Sequence, residues 1–196
     1  MSAPGRPLLR PATEADAPLI LALIRELADY ERLLGEVDAT EDGLRAALFG
    51  PAPRVFCDIA EWQDTSDDGL VGDGLVGDGL VGDGLTDDGT QGPRIAAGFA
   101  LWFYNFSTFR GRHGIYLEDL FVRPAFRGRG IGRALLAGLA ARCVREGLAR
   151  LEWSVLDWNE PALVFYRSLG ARAMEDWVPH RVTGEALTAL AAEARG

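Results

Sequence analysis

Apolar residues recur along this chain at two spacings, and the switches between them outline the elements. Leu8-Leu9-Arg10 predicts a short first strand. Ile20, Leu23, Ile24 and Leu27 then fall every three to four residues, one face of a helix that Thr13 begins with Asp16 three residues on. Thr40 and Gly43 open a second, shorter helix to about Phe49, and Val55 to Ala60 reads as a strand. Ile95 to Tyr104 is a long strand expected to form a hairpin with His113 to Val122, joined through Phe106 to Gly111. Ile131, Leu135, Leu139 and Cys143 mark one face of a helix reaching Gly147. A strand follows over Leu151 to Val155. Asn159 or Glu160 can cap the next helix, with Pro161 at its first position and Gly170 as the left-handed residue that ends it. A last strand near Ala171 to Val178 and a helix from Thr183 complete the pattern. This order predicts an α/β fold, a mixed central sheet covered by helices on both faces.

Composition narrows the class. At 196 residues, 48% hydrophobic and 25% charged, the chain suffices for one well-buried core, so 1–196 is expected to be a single domain. No apolar run approaches the ~20 residues that cross a bilayer, and no signal-peptide pattern opens the sequence; no membrane association and a cytoplasmic location are expected. Cys57 and Cys143 lie far apart without metal-ligand spacing and read as buried free thiols. His113 and His180 have no clustered companions, so no metal is expected.

Net charge is -9, but eight aspartates between Asp64 and Asp88 carry most of it. Without them the chain has 21 acids against 20 arginines, and bulk charge says little about a substrate. With no lysine and no arginine stripe, nucleic-acid binding is not expected. Those aspartates belong to a direct repeat: Asp68-Gly69-Leu70-Val71-Gly72 recurs as 73–77 and 78–82 and starts again at Asp83. Gly72 to Gly77 spells G-x-G-x-x-G, yet no strand precedes it and no helix follows, so no dinucleotide site is read there. One carboxylate per five residues is sparse for calcium. Residues 64–92 are expected to be a flexible, acidic, glycine-rich insertion between two strands.

The chemistry concentrates elsewhere. Tyr116 to Val122 reads as a strand that passes through Arg123-Pro124 into Arg127-Gly128-Arg129-Gly130-Ile131-Gly132 and then a helix. Such a loop aims several backbone N–H groups at one point, and the helix start adds partial positive charge, which suits a pyrophosphate. Alone, it would also fit a basic glycine loop that merely turns the chain. Absence of lysine excludes a Walker-type loop.

Arg127 to Gly132 resembles the Arg/Gln-x-x-Gly-x-Gly/Ala signature of the GCN5-related N-acetyltransferases. Two further blocks resemble the same superfamily: Asn159-Glu160-Pro161 with Phe165-Tyr166 and Gly170-Ala171, and Arg10-Pro11-Ala12-Thr13 with Asp16, leading to Glu26 to Glu31. In this order they resemble its diamine (spermidine/spermine, thialysine) branch over nearly the whole chain, apart from the insert and the C-terminal end. The resemblance implies a sheet that splays between the strands ending at Val122 and Val155, with acetyl-CoA in the opening. It implies direct acetyl transfer to a primary amine in a ternary complex, and a homodimer, which the aromatic-rich strand near Trp102 to Phe106 also suits.

The same resemblance assigns residues. Backbone groups of Leu120, Phe121 and Val122 would pair with the pantetheine arm, Gly128, Arg129, Gly130, Ile131, Gly132 and Arg133 with Arg127 would hold the pyrophosphate, and Asn159, Glu160, Pro161 and Ala162 the other side of the arm. Glu118 would bind the amine and relay its proton through water; alternatively it is a solvated strand carboxylate. Strand alternation places Glu118 and Asp119 on opposite faces, arguing against a two-carboxylate pair. Tyr166 would return a proton to the thiolate, unless it is a core tyrosine beside Phe165. Tyr30, Glu31, Glu118, Glu152, Trp153 and Ser154 would line the amine end. Glu152-Trp153-Ser154 departs from the polyamine enzymes, which leaves open thialysine, another small diamine, an amino-acid side chain, a peptide amine, or coenzyme A binding without catalysis.

Overall fold

The computed structural model describes residues 5–63, 81–82 and 94–195. The repeat insert, apart from Val81–Gly82, lies outside the described residues. The chain divides into two compact units, Met1–Ser154 and Val155–Gly196.

In the first unit, β1 (Arg6–Pro11), β2 (Phe56–Gln63), β4 (Arg94–Ser107), β5 (Arg112–Val122) and β6 (Leu151–Trp153) form a sheet in that order, and β3 (Val81–Gly82) pairs with β4. All pairings are antiparallel except β5 with β6, so the sheet is mixed, as the element order predicts. The expected hairpin forms between β4 and β5, turning through Thr108 to Gly111. At Gly98 the hairpin runs so close that a Cβ would overlap the Phe121 carbonyl, which explains glycine there.

Alternation along the strands feeds two cores. Cys57, Ile59, Phe99, Leu101 and Phe121 pack with Ile20, Leu23 and Leu27 of α1 (Ala17–Tyr30) and Leu48 of α2 (Glu41–Phe49). Ile20, Leu23, Ile59 and Phe99 are fully buried, each stabilising the fold by about 1.5–3 kcal/mol. Residues of the opposite parity, among them Ala100 and Trp102, face α3 (Ile131–Arg145), whose Arg142 guanidinium lies 4.9 Å over the Trp102 ring. Ile131, Leu135, Leu139 and Cys143 are all buried, the stripe predicted from their spacing.

The start of α1 is tied to the sheet by charge. Asp16 takes the backbone N–H and hydroxyl of Thr13 and two N–H groups of Arg10, each at 2.7–2.8 Å, while Arg10 also reaches Glu61 at 2.7 Å. Burial pushes the Asp16 carboxyl up, but these donors outweigh it and hold it at about 2. Cys57 and Cys143 are buried free thiols, as read from the sequence.

The second unit holds α4 (Glu160–Ser168) and α5 (Gly184–Ala192). The strand expected near Ala171 to Val178 does not form; the segment is irregular with one turn, closed by Trp177 N–H on the Met174 carbonyl at 3.1 Å. Acidic Glu175-Asp176 interrupts its apolar run and Pro179 removes a donor, while Met174, Trp177 and Val178 stay exposed. Among the described residues no helix is long and apolar enough to cross a membrane.

Candidate active site

The two edges of β5 are treated differently. Against β4 it pairs almost throughout, but β6 pairs with it only at Ile115, Tyr116 and Leu117. At that point the β4 register skips: Leu101 faces Asp119 and Trp102 faces Leu117, leaving Glu118 as an extra, unopposed residue. This is a β-bulge, and it shifts which backbone groups face which edge. Ile115 N–H points towards β6, donating to the Arg150 carbonyl at 3.0 Å, whereas beyond the bulge Arg123 N–H points towards β4, donating to the Ala97 carbonyl at 2.9 Å. Alternating back from Arg123, the backbone groups of Leu120 and Val122 face away from β4, along an edge with no strand partner among the described residues. An extended ligand arm could add there as a strand does.

The chain leaves this edge into the glycine loop. A single 3-10 turn, Pro124–Phe126, leads to Arg127, and Gly128 and Gly130 take φ of +75° and +80°. Both have open space where a side chain would stand, and Gly130 begins α3 with no side-chain cap. The N–H groups of the first turn of α3 therefore lack the usual side-chain acceptor, an arrangement that suits an anion. The residues present fit the pyrophosphate of a coenzyme A. Arg127 itself turns inward: its Nε donates to the Val122 carbonyl at 3.0 Å, and its guanidinium lies 4.6 Å over the Tyr30 ring. Arg129 likewise lies over Trp62, at 5.0 Å.

At the bulge sits a group that the sequence reading passed over. Asp119 has its carboxyl raised to about 6, first by burial and then by the charges of Glu118 and Glu31. Burial also raises Glu31, which follows the end of α1. Alternation along an unbroken strand sets Glu118 and Asp119 on opposite faces; the bulge interrupts that alternation at Glu118. Neither glycine nor proline marks that bulge, so the sequence carried no local signal for it.

Other expected site residues are engaged differently. Glu152 accepts from Asn105 Nδ2 at 2.7 Å and pairs with Arg150 Nε at 2.6 Å, which ties β6 to its neighbours. Ser154 Oγ lies 2.6 Å from the Tyr116 hydroxyl, and Trp153 is half-buried on β6. In the second unit, Asn159 caps α4, its side chain accepting the Ala162 N–H at 3.4 Å, with Glu160 and Pro161 in the first turn as predicted. Glu160 pairs with Arg167 at 3.2 Å. Tyr166 lies in the last turn of α4, its ring 5.4 Å from Phe165, before Gly170 at φ +83°. Among the described residues, no group of three or more His, Cys, Asp or Glu side chains is placed to hold a metal ion.

A sheet with a bulged strand, a free edge beyond the bulge and a glycine loop opening a helix defines an acyl-coenzyme A transferase architecture. Residues 51–171 match the model of the acetyltransferase (GNAT) family; the chain belongs to that family and is an N-acetyltransferase that draws its acetyl group from acetyl-CoA. It is 36% identical over 187 residues to the thialysine N-epsilon-acetyltransferase of Bos taurus, spanning 94% of this chain and 96% of that one. It is 34% identical to an L-ornithine N5-acetyltransferase of Arabidopsis thaliana, over 93% and 86% of the two chains. An integron cassette protein from the mobile metagenome of V. cholerae shares the fold, with a TM-score of 0.66 at 23% identity over 94% of this chain and 97% of that one.

Proposed function

We propose that this enzyme acetylates the terminal primary amine of a thialysine-like amino acid or a small diamine, in a ternary complex with acetyl-CoA. The observation that carries the substrate class is Asp119 at the bulge of β5, a half-buried carboxyl raised by burial and by the negative charges of Glu118 and Glu31. Such anions favour a small cationic amine over a neutral acceptor. The names of the bovine and plant relatives, which act on thialysine and ornithine, support the same class.

Acetyl-CoA supplies an activated thioester. Gly128 to Arg133 hold its pyrophosphate through backbone N–H groups, and Leu120 and Val122 hold the pantetheine arm as an added strand, with Phe121 packed in the core beneath. The Leu120 N–H polarises the thioester carbonyl. Arg127 contributes by fixing the Val122 carbonyl, and Asn159, Glu160, Pro161 and Ala162 are assigned to the cofactor by the family resemblance. An alkyl ammonium has a pKa of about 10.4, so a proton must leave before the nitrogen can attack. Glu118 binds the amine and relays that proton through water, and Asp119, whose carboxyl sits near 6, shares the role of acceptor. Tyr166 returns a proton to the departing thiolate. Tyr30, Glu31, Trp153 and Ser154 line the amine end; Glu152, committed to Arg150 and Asn105, shapes it indirectly.

On this reading 1–196 is one catalytic domain interrupted at 64–92, acting in the cytoplasm as a homodimer. Phe106 and Phe109, exposed at 52% and 92% at the hairpin tip, support the dimer, which sedimentation would check. The deciding assay is thiol release from acetyl-CoA with thialysine, ornithine, lysine, spermidine, spermine and short peptides, beside Tyr166→Phe. Turnover with one small amine, cut at least about a hundredfold in the variant, is the predicted result. Turnover with peptides alone would replace the small-amine reading.

A further inference from the structure

Two arginines bracket the turn between β5 and the glycine loop, and both reach α1. Arg123 and Arg127 are four residues apart; their partners, Glu26 and Tyr30, are also four apart and stand one above the other on one helix face. Arg123 meets Glu26 with two prongs, Nε at 2.9 Å from Oε2 and Nη2 at 2.6 Å from Oε1. Its remaining nitrogen, Nη1, donates to the Ala96 carbonyl at 2.7 Å, and its backbone N–H donates to the Ala97 carbonyl. The side chain is only 13% exposed. One planar guanidinium thus joins α1, β4 and the end of β5, which the single point charge of a lysine cannot do. Arg127 repeats the contact one turn along, on Tyr30 and the Val122 carbonyl. Only Pro124–Phe126 separates the two anchors, and Phe126 is buried.

We propose that Arg123 and Glu26 are positioning residues for acetyl-CoA: the double clasp fixes the glycine loop against α1 and so sets where its N–H groups point. Neither residue touches the reacting atoms. The proposal rests on the reading of Gly128 to Arg133 as the pyrophosphate cradle. Hydrogen bonds to an anion weaken steeply outside a narrow range of distance and angle, so a loop displaced by a loosened anchor binds the anion less well even when the fold persists. The clasp also explains why the sequence places an arginine directly after β5, outside the glycine signature itself.

The test is calorimetric titration with coenzyme A, together with steady-state kinetics and thermal midpoints, on wild type, Arg123→Lys, Glu26→Gln and the double variant. Arg45→Gln, whose partners Glu41 and Asp42 lie within α2, is the control. Expected are a coenzyme A Kd and acetyl-CoA KM raised roughly tenfold in Arg123→Lys and several-fold in Glu26→Gln, with kcat within about threefold and the double variant no weaker than Arg123→Lys. Arg45→Gln should match wild type. Lower thermal midpoints with unchanged coenzyme A affinity would make the clasp merely structural and overturn the proposal. If Arg123→Lys does not fold, Glu26→Gln decides by the same readout. Failure of wild type to bind coenzyme A would instead remove the cradle reading, and would show before any variant is compared.

Discussion

The two halves of β5 belong to one strand and do opposite work. Ile115 to Leu117 is paired on both edges, and Ile115 and Leu117 are at most 1% exposed. Among the described residues Glu118 to Val122 is paired on one edge; it begins with an unopposed residue and carries a carboxyl raised to about 6. A fully paired strand has spent its backbone donors, whereas the half beyond the bulge keeps some in reserve. The break in register falls at Glu118, next to Asp119, whose carboxyl feels the charges of Glu118 and Glu31. On the proposed reading, the first half contributes stability and the second the capacity to bind and react.

Substitutions across the bulge should separate these roles. The largest effect is expected from Glu118→Gln, which should lower kcat/KM by on the order of 10²–10⁴ with little change in thermal midpoint. An equal loss of stability would place Glu118 in the structure rather than in the chemistry. Next is Leu117→Ala, one residue away, expected to cost about 2–4 kcal/mol in denaturant unfolding while leaving coenzyme A affinity unchanged. A weakened affinity there would blur the division between the halves.

Asp119→Asn should act in the other direction. Its carboxyl binds a proton more tightly when folded than the ordinary 3.8, so its contribution is fully present below pH 3.8 and is lost as pH rises through about 6. The asparagine variant should therefore be more stable than wild type by on the order of 1–3 kcal/mol at pH 8, the gain vanishing towards pH 4, even as turnover falls. Thermal unfolding across that range checks the sign. The smallest effect is expected at Gly130, where φ is +80° and open space surrounds the missing side chain. Gly130→Ala should cost only about 1–2 kcal/mol of backbone strain, with weaker coenzyme A binding.

Much of this division is legible in the sequence. Helix faces, the long hairpin and the glycine loop follow from local patterning, because each element's own spacing determines which residues it buries. The bulge is different. It arises from a register between residues such as Leu101 and Asp119 that are distant in sequence, and alternation read along one strand cannot contain it. Asp119 enters the sequence reading only through that alternation, and the inward contacts of Arg127 and the pairing of Glu152 with Arg150 have no local signal, because only folding selects their partners. The failed strand after Ala171 is the converse case, an apolar run with a local pattern but no partner strand among the described residues to complete it.

The most direct test is amide hydrogen exchange, read residue by residue, with and without coenzyme A. The account predicts that the Leu120 amide, and Val122 with it, slows at least about tenfold on binding, while Ile115 and Leu117, already paired, barely change. Protection spread evenly along β5, or none at Leu120 under saturating coenzyme A, would contradict the assignment of the free edge as the cofactor's strand.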